Sequence, residues 1–250
     1  MSGRLFGLGL GPGDPELLTL KALRLLRAAD VIVYPLAKGG PLARGAVSFA
    51  RAIAAPHLPG GQREIAIAIE MSTDRAPGQG AYDEAAIEIA AELDAGRDVA
   101  VLCEGDPFFY GSFLYLFARL ADRYETAIVP GISSVMAGAA AIRRPLSARH
   151  DTVAILPATL PDEALRARIE AHESVAILKL GRHFGRVKAL IAAMGLTTQA
   201  VYAERVSLPG ERILPLAETG DAAPYFALVL LYRGTEPAIL GALPAAEPGP

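Results

Sequence analysis

The feature that most constrains this chain is its punctuation. Short apolar runs, each ending near glycine, proline or an acid, alternate with longer amphipathic stretches. Arg4–Leu8 reads as a strand ending in glycines. Pro15–Ala29 follows as a helix, with Asp14-Pro15 as its start signal. Val31–Tyr34 is a second strand, and Glu64–Ile69 a third, with isoleucine at 65, 67 and 69 in period two. Tyr82–Ala95 reads as a helix stopped by Gly96. Val99–Cys103 reads as a strand, Pro107–Tyr124 as an aromatic-rich helix, and Thr126–Val129 as a strand broken by Pro130-Gly131. In the second half, Thr152–Leu156, Val175–Leu180, Gln199–Ala203 and Ala227–Tyr232 look like strands. Asp162–Ala171 and Phe184–Met194 look like helices between them. This alternation predicts an α/β fold with substantially parallel sheets.

A chain of 250 residues fits two packed α/β domains or one large one. A boundary near Tyr124–Pro130 divides it into 1–127, carrying the glycine-rich loop near the start, and 128–250. Ala37–Ala43 and Ser72–Gly80, rich in glycine and proline, read as loops. The tail after Thr235 reads as irregular. No repeat of 20–50 residues is visible, although Gly-Asp-Pro occurs at both 13–15 and 105–107, as a common turn signal would.

Composition removes several function classes. Hydrophobic residues make up 52%, enough for a large core, and the net charge of -3 gives no global basic field for nucleic acid. The single cysteine, Cys103, excludes a disulfide framework and thiolate clusters. His57, His150, His172 and His183 show no metal-ligand spacing, so no metal site is expected. Without a signal peptide or a run long enough to span a membrane, the expected location is the cytoplasm.

Two loops carry the candidate chemistry. Gly7, Gly9, Gly11 and Gly13 lie between a strand and a helix, where a dinucleotide phosphate loop would sit. The GxGxxG spacing fails, because the third glycine position is Pro12 counted from Gly7 and Asp14 counted from Gly9. Asp14 would also oppose a pyrophosphate at the helix start, so an NAD-dependent oxidoreductase is disfavoured. A phosphate-free ligand such as S-adenosylmethionine, or simple close packing, suits these glycines better. The second loop, Glu104-Gly105-Asp106-Pro107, follows an apolar strand. It is either a ligand loop at a strand's carboxyl end or an ordinary helix start with Asp106 as cap and Pro107 in the first turn.

Four motifs occur in order. They are Gly-Leu-Gly-Leu-Gly-Pro-Gly-Asp-Pro-Glu-Leu-Leu-Thr-Leu-Lys-Ala, Ala29-Asp30-Val31-Ile32-Val33-Tyr34, Glu104-Gly105-Asp106-Pro107 and Val129-Pro130-Gly131-Ile132-Ser133-Ser134. Together they resemble the tetrapyrrole methylase family over nearly the whole chain. The stretch Cys103–Phe113 is similar to its branch that methylates precorrin-2 at C20. The resemblance implies two α/β domains with S-adenosyl-L-methionine in the cleft between them, a homodimer, and a small-molecule tetrapyrrole substrate in cobalamin biosynthesis. By motif position it implies donor contacts at Leu10, Asp106, Phe109, Ser133 and Ser134, and further ones at Leu180 and Ala203 in second-domain strands.

Methyl transfer from a sulfonium to C20 of precorrin-2 would give precorrin-3A. It asks the protein for alignment and exclusion of water. Loss of the C20 proton needs a base or tautomerisation within the macrocycle. Glu104 is the first candidate for acid–base or orienting work, with Tyr110 beside it. The polycarboxylate substrate calls for cations: Arg143, Arg144 and Arg149 form one cluster, Lys38 and Arg44 another. The rivals are a cobalt-containing substrate at the same ring position, the oxidoreductase, and a non-catalytic tetrapyrrole carrier.

Overall fold

A computed structural model describes residues 1–38, 48–70 and 76–240. The chain forms two compact units, Met1–Ser133 and Ser134–Pro250. Both are α/β, as the punctuation predicts.

The first unit holds β1 (Leu5–Gly9), α1 (Leu20–Ala28), β2 (Val31–Lys38), α2 (Phe49–Ala54), β3 (Arg63–Glu70), α3 (Ala76–Asp94), β4 (Val99–Cys103), α4 (Phe113–Leu120) and β5 (Thr126–Val129). Its sheet runs β3-β2-β4-β1-β5 and is parallel throughout. The runs are apolar without alternation because both faces are covered. Val99, Val101 and Cys103 face Ile89 and Leu93 of α3 and Phe113, Leu116 and Leu120 of α4. Ala100 and Leu102 face Leu25 and Leu26 of α1 and Ala50 and Ile53 of α2.

Three helices differ from the sequence reading by more than one residue. The expected Pro15–Ala29 helix is a 3-10 turn at Pro15–Leu17 followed by α1. The hydroxyl of Thr19 accepts from the Ala22 N–H at 3.1 Å and starts a new helix, leaving Leu18 extended. Expected loop residues 76–80 instead open α3, because proline is tolerated in a first turn whose N–H groups have no partner. The expected Pro107–Tyr124 helix begins only at Phe113. Tyr110 is left-handed, with φ 56°, and a side chain at Gly111 would lie 2.8 Å from the Asp106 carbonyl oxygen. Residues 39–43, 72–75 and 241–250 of the expected loops and tail lie outside the described residues.

The second unit holds α5 (Ser134–Ala141), β6 (Val153–Pro157), α6 (Asp162–Ala171), β7 (Ser174–Leu178), α7 (Phe184–Ala193), β8 (Ala200–Glu204), β9 (Arg212–Pro215), β10 (Ala227–Tyr232) and α8 (Pro237–Leu240). Its sheet runs β6-β7-β10-β8-β9, and only β6 and β7 pair in parallel. β10 is antiparallel to both β7 and β8, and β8 to β9, so the parallel expectation fails for this unit. The reason lies in the connections. No α-helix separates β8 from β9 or β9 from β10, and a parallel pair needs a crossover. Leu165, Ile169, Phe184, Val187 and Ile191 pack on one face of the sheet. On the other, Gly138 of α5 leaves room for Leu228 and Leu230 of β10.

Candidate functional site

The first unit brings three loops together at the carboxyl ends of β1, β4 and β5, where open parallel sheets gather ligands. The Leu10 N–H donates to the Cys103 carbonyl at 2.9 Å. Gly11 and Gly105 then exchange two backbone bonds, of 3.2 and 2.7 Å. Both glycines are left-handed, with φ 77° and 65°, a conformation that other residues rarely adopt. The third loop closes over them. A Cβ on Gly9 would lie 2.6 Å from the Gly131 Cα and 2.9 Å from the Gly105 carbonyl oxygen. A Cβ on Gly131 would overlap that same oxygen. The glycines of the first loop therefore let chain lie on chain. The space a pyrophosphate would need against Gly9 is already taken by protein.

Asp106 holds the arrangement. Its Oδ1 accepts from the Phe108 N–H at 2.9 Å and its Oδ2 from the Gly131 N–H at 3.0 Å. One carboxylate thus closes its own turn and ties the β4 loop to the β5 loop. Glu104, one residue beyond β4, is largely enclosed, and the Ala50 N–H at the start of α2 donates to its carboxylate. Burial outweighs that bond and pushes the carboxyl up to about 7. A group titrating there can take or give a proton near neutral pH. Burial, and then the nearby carboxylates of Asp106 and Glu104, hold the Cys103 thiol far above its usual range, so it is not a nucleophile.

The remaining expected site residues are placed as follows. Phe109 meets the Tyr110 ring edge to face at 5.2 Å, and Tyr110 is exposed on its left-handed backbone. The Leu10 side chain is fully buried, which leaves its backbone as the part able to face a ligand. Ser133 ends the first unit and Ser134 opens α5 in the second. Leu180 and Ala203 are fully buried within the second unit, just beyond β7 and near the end of β8. Lys38 closes β2, and Arg44 lies outside the described residues.

The arginine cluster does not converge. Arg143 is exposed with φ 52°, and Arg149 pairs with Glu236 at 3.3 Å. Arg144 is buried, and its guanidinium donates to the Leu230 carbonyl at 3.1 Å and the Gln199 carbonyl at 3.4 Å. The rim position expected for Arg144 is thus corrected. It braces the end of α5 against β10, because a buried guanidinium must spend its donors on acceptors within reach. Sequence reasoning missed two partners of the site, Gly131 as a packing surface and Ala50 as a donor to Glu104. The Pro130-Gly131 turn was visible; the Ala50 contact has no local signal.

Known proteins are similar to this chain in sequence and in fold. A family model described as Tetrapyrrole (Corrin/Porphyrin) Methylases matches residues 4–219. The chain is 41% identical to the cobalamin biosynthesis protein CobIJ of Mycobacterium tuberculosis over 95% of its length but only 47% of the relative's, so it spans about half of that protein. It is 39% identical to a precorrin-2 C(20)-methyltransferase of a Sinorhizobium species, over 92% of this chain and 95% of that one. It is 31% identical to a cobalt-precorrin-2 C(20)-methyltransferase of Salmonella typhimurium, over 94% and 99%. The crystal structure of uroporphyrin-III C-methyl transferase from Thermus thermophilus, complexed with S-adenyl homocysteine, shares the fold with a TM-score of 0.64. That likeness covers 91% of this chain and 97% of that one at 24% identity. A family match reaching from the first strand into the second unit, and relatives similar over nearly their full length, lead to one conclusion: this chain belongs to the tetrapyrrole methylase family.

Proposed function

We propose that the chain is an S-adenosyl-L-methionine-dependent methyltransferase that methylates C20 of precorrin-2 to give precorrin-3A in cobalamin biosynthesis. The observation that carries this reading is the match to the Sinorhizobium enzyme named for that reaction, over nearly the full length of both chains. The geometry supports it. A phosphate-free donor suits a loop cradle whose glycines are filled by protein backbone. The donor supplies the electrophilic methyl, and the protein orients the partners and excludes water.

In this reading Leu10 and the Gly105 and Gly131 loops present backbone groups to the donor, and Asp106 keeps those loops in register. Phe109 and Tyr110 carry the same loop outward. Glu104, ionised above about pH 7, accepts the C20 proton. Lys38, Arg44 and Arg143 answer the substrate's acids. We extend the reading to a homodimer acting in the cytoplasm, on the strength of the family resemblance.

The test is incubation with precorrin-2 and donor carrying a labelled methyl, followed by NMR of the product. The expected result is a new methyl at C20, and a methyl elsewhere or none refutes the reading. The Salmonella relative motivates a parallel incubation with the cobalt-containing substrate, and the faster of the two identifies the natural one.

A further inference from the structure

The second unit carries its own concentration of positive charge at one edge of its sheet. β7 and β8 run in the same direction, each antiparallel to β10. Val229 of β10 pairs with Ile177 on one side and Tyr202 on the other, so those two residues are level. Lys179 and Arg205 therefore leave the sheet at the same end, two strand spacings or ~10 Å apart. Each is the first residue after its strand, and each is exposed.

Both have left-handed backbones, with φ 58° at Lys179 and 53° at Arg205. Such a conformation in a non-glycine residue persists only where the surroundings enforce it, and it gathers at functional sites. Around Arg205 the enforcement is visible. The Arg205 N–H donates to the Phe226 carbonyl at 2.8 Å, and the Leu208 N–H to the Arg205 carbonyl at 2.8 Å. The Ser207 N–H donates to the Glu211 carboxylate at 2.7 Å. The adjacent acid does not neutralise Arg205, because Glu204 is engaged by the Tyr202 hydroxyl and by Arg212. At the β7 end, burial, and then the guanidiniums of Arg182 and Arg186, hold His183 below its usual range.

We propose that Lys179 and Arg205 form a clamp for two carboxylate arms of the tetrapyrrole substrate; this rests on the function proposed above. The same chemistry would suit the amino-acid carboxylate of the methyl donor, so the experiment separates the two ligands. Lys179→Gln and Arg205→Gln are assayed for the KM of precorrin-2 and, by calorimetry, for donor affinity. Each is expected to raise the KM about tenfold, the scale of one charge-assisted hydrogen bond, with donor affinity unchanged. Lys179→Arg should recover most of the loss, which a merely structural role would not predict. An unchanged KM, or donor affinity falling in step with it, overturns the clamp. If either glutamine variant is poorly folded, Lys179→Gly and Arg205→Gly remove the charge while relaxing the backbone, and the same outcomes apply. If the wild type methylates no tetrapyrrole, the function falls separately. The clamp is then read from absorbance titration with uroporphyrin III, where affinity retained in the double glutamine variant overturns it.

Discussion

The two sheets solve the same problem in different ways. In the first unit, β1 lies between β4 and β5, all parallel, so three strand ends deliver their loops to one place. Those loops interlock through backbone, with Gly9, Gly11, Gly105 and Gly131 at the close contacts and one carboxylate, Asp106, as the tie. In the second unit, antiparallel β10 separates β7 from β8. Their carboxyl ends are held apart, and what they offer is side chains on enforced turns. A backbone-built edge tolerates almost no added atoms but is indifferent to surface charge. A side-chain-built edge has the opposite sensitivities.

The largest expected effect comes from adding one methyl to each edge. In Gly131→Ala the new Cβ overlaps the Gly105 carbonyl, and backbone on both sides cannot step away. The loss should exceed about 4 kcal/mol, beyond ordinary overpacking. Gly181→Ala, two residues beyond Lys179, meets nothing within 4 Å; its φ of 36° should cost about 1 kcal/mol. Urea unfolding of the two variants measures the contrast. Equal losses would erase the distinction between the edges.

A second test uses protons. Glu104 sits at the backbone-built edge with its carboxyl raised from 4.5 to about 7, chiefly by burial. The folded state therefore holds this proton more tightly than the unfolded one. Stability from this group is fully present below about pH 4.5 and is lost as pH rises through about 7. The full span is about 3 kcal/mol. Unfolding free energies between pH 4.5 and 8 should show that decline in wild type and lack it in Glu104→Gln. The same substitution should flatten the rise in single-turnover methylation with pH. Parallel stability curves for the two proteins would refute the buried carboxyl, and unchanged methylation would refute its role as base.

What was legible in the sequence cuts across that division, since Ala227–Tyr232 in the second unit also read correctly to the residue. β4, β5 and α6 read correctly to the residue, because an apolar or amphipathic run meets a glycine, proline or acid at its ends. Three of the family motifs cover loops that follow β1, β4 and β5, and the fourth, Ala29–Tyr34, leads into β2. The start of α4 was illegible because the chain turns left-handed at Tyr110 and packs at Gly111 so close to the Asp106 and Pro107 carbonyls that no Cβ fits, and neither feature has a local sequence signal. β9 was missed because a short edge strand ending in Pro215 carries little pattern of its own. The Ala50–Glu104 contact joins residues brought together only by folding, and no spacing rule encodes it.

Arg143 and Arg144 supply the smallest contrast and the most local one. Adjacent in sequence and identical in type, they differ only in where the chain sends them. Arg143 is exposed, whereas 7% of Arg144 remains accessible and its donors serve two backbone carbonyls. Arg144→Ala removes the donors and leaves the Leu230 and Gln199 carbonyls without them inside the second unit. That should cost about 2 kcal/mol, reduced from the sum of two lost bonds because the Gln199 contact is long. Arg143→Ala should change stability by no more than about 0.5 kcal/mol. Its effect belongs instead in the KM for the tetrapyrrole, since an exposed cation can meet a substrate acid. The pair thus separates bracing from binding within one dipeptide. A stable Arg144→Ala protein with weakened tetrapyrrole binding would return that arginine to the substrate and remove the brace between α5 and β10.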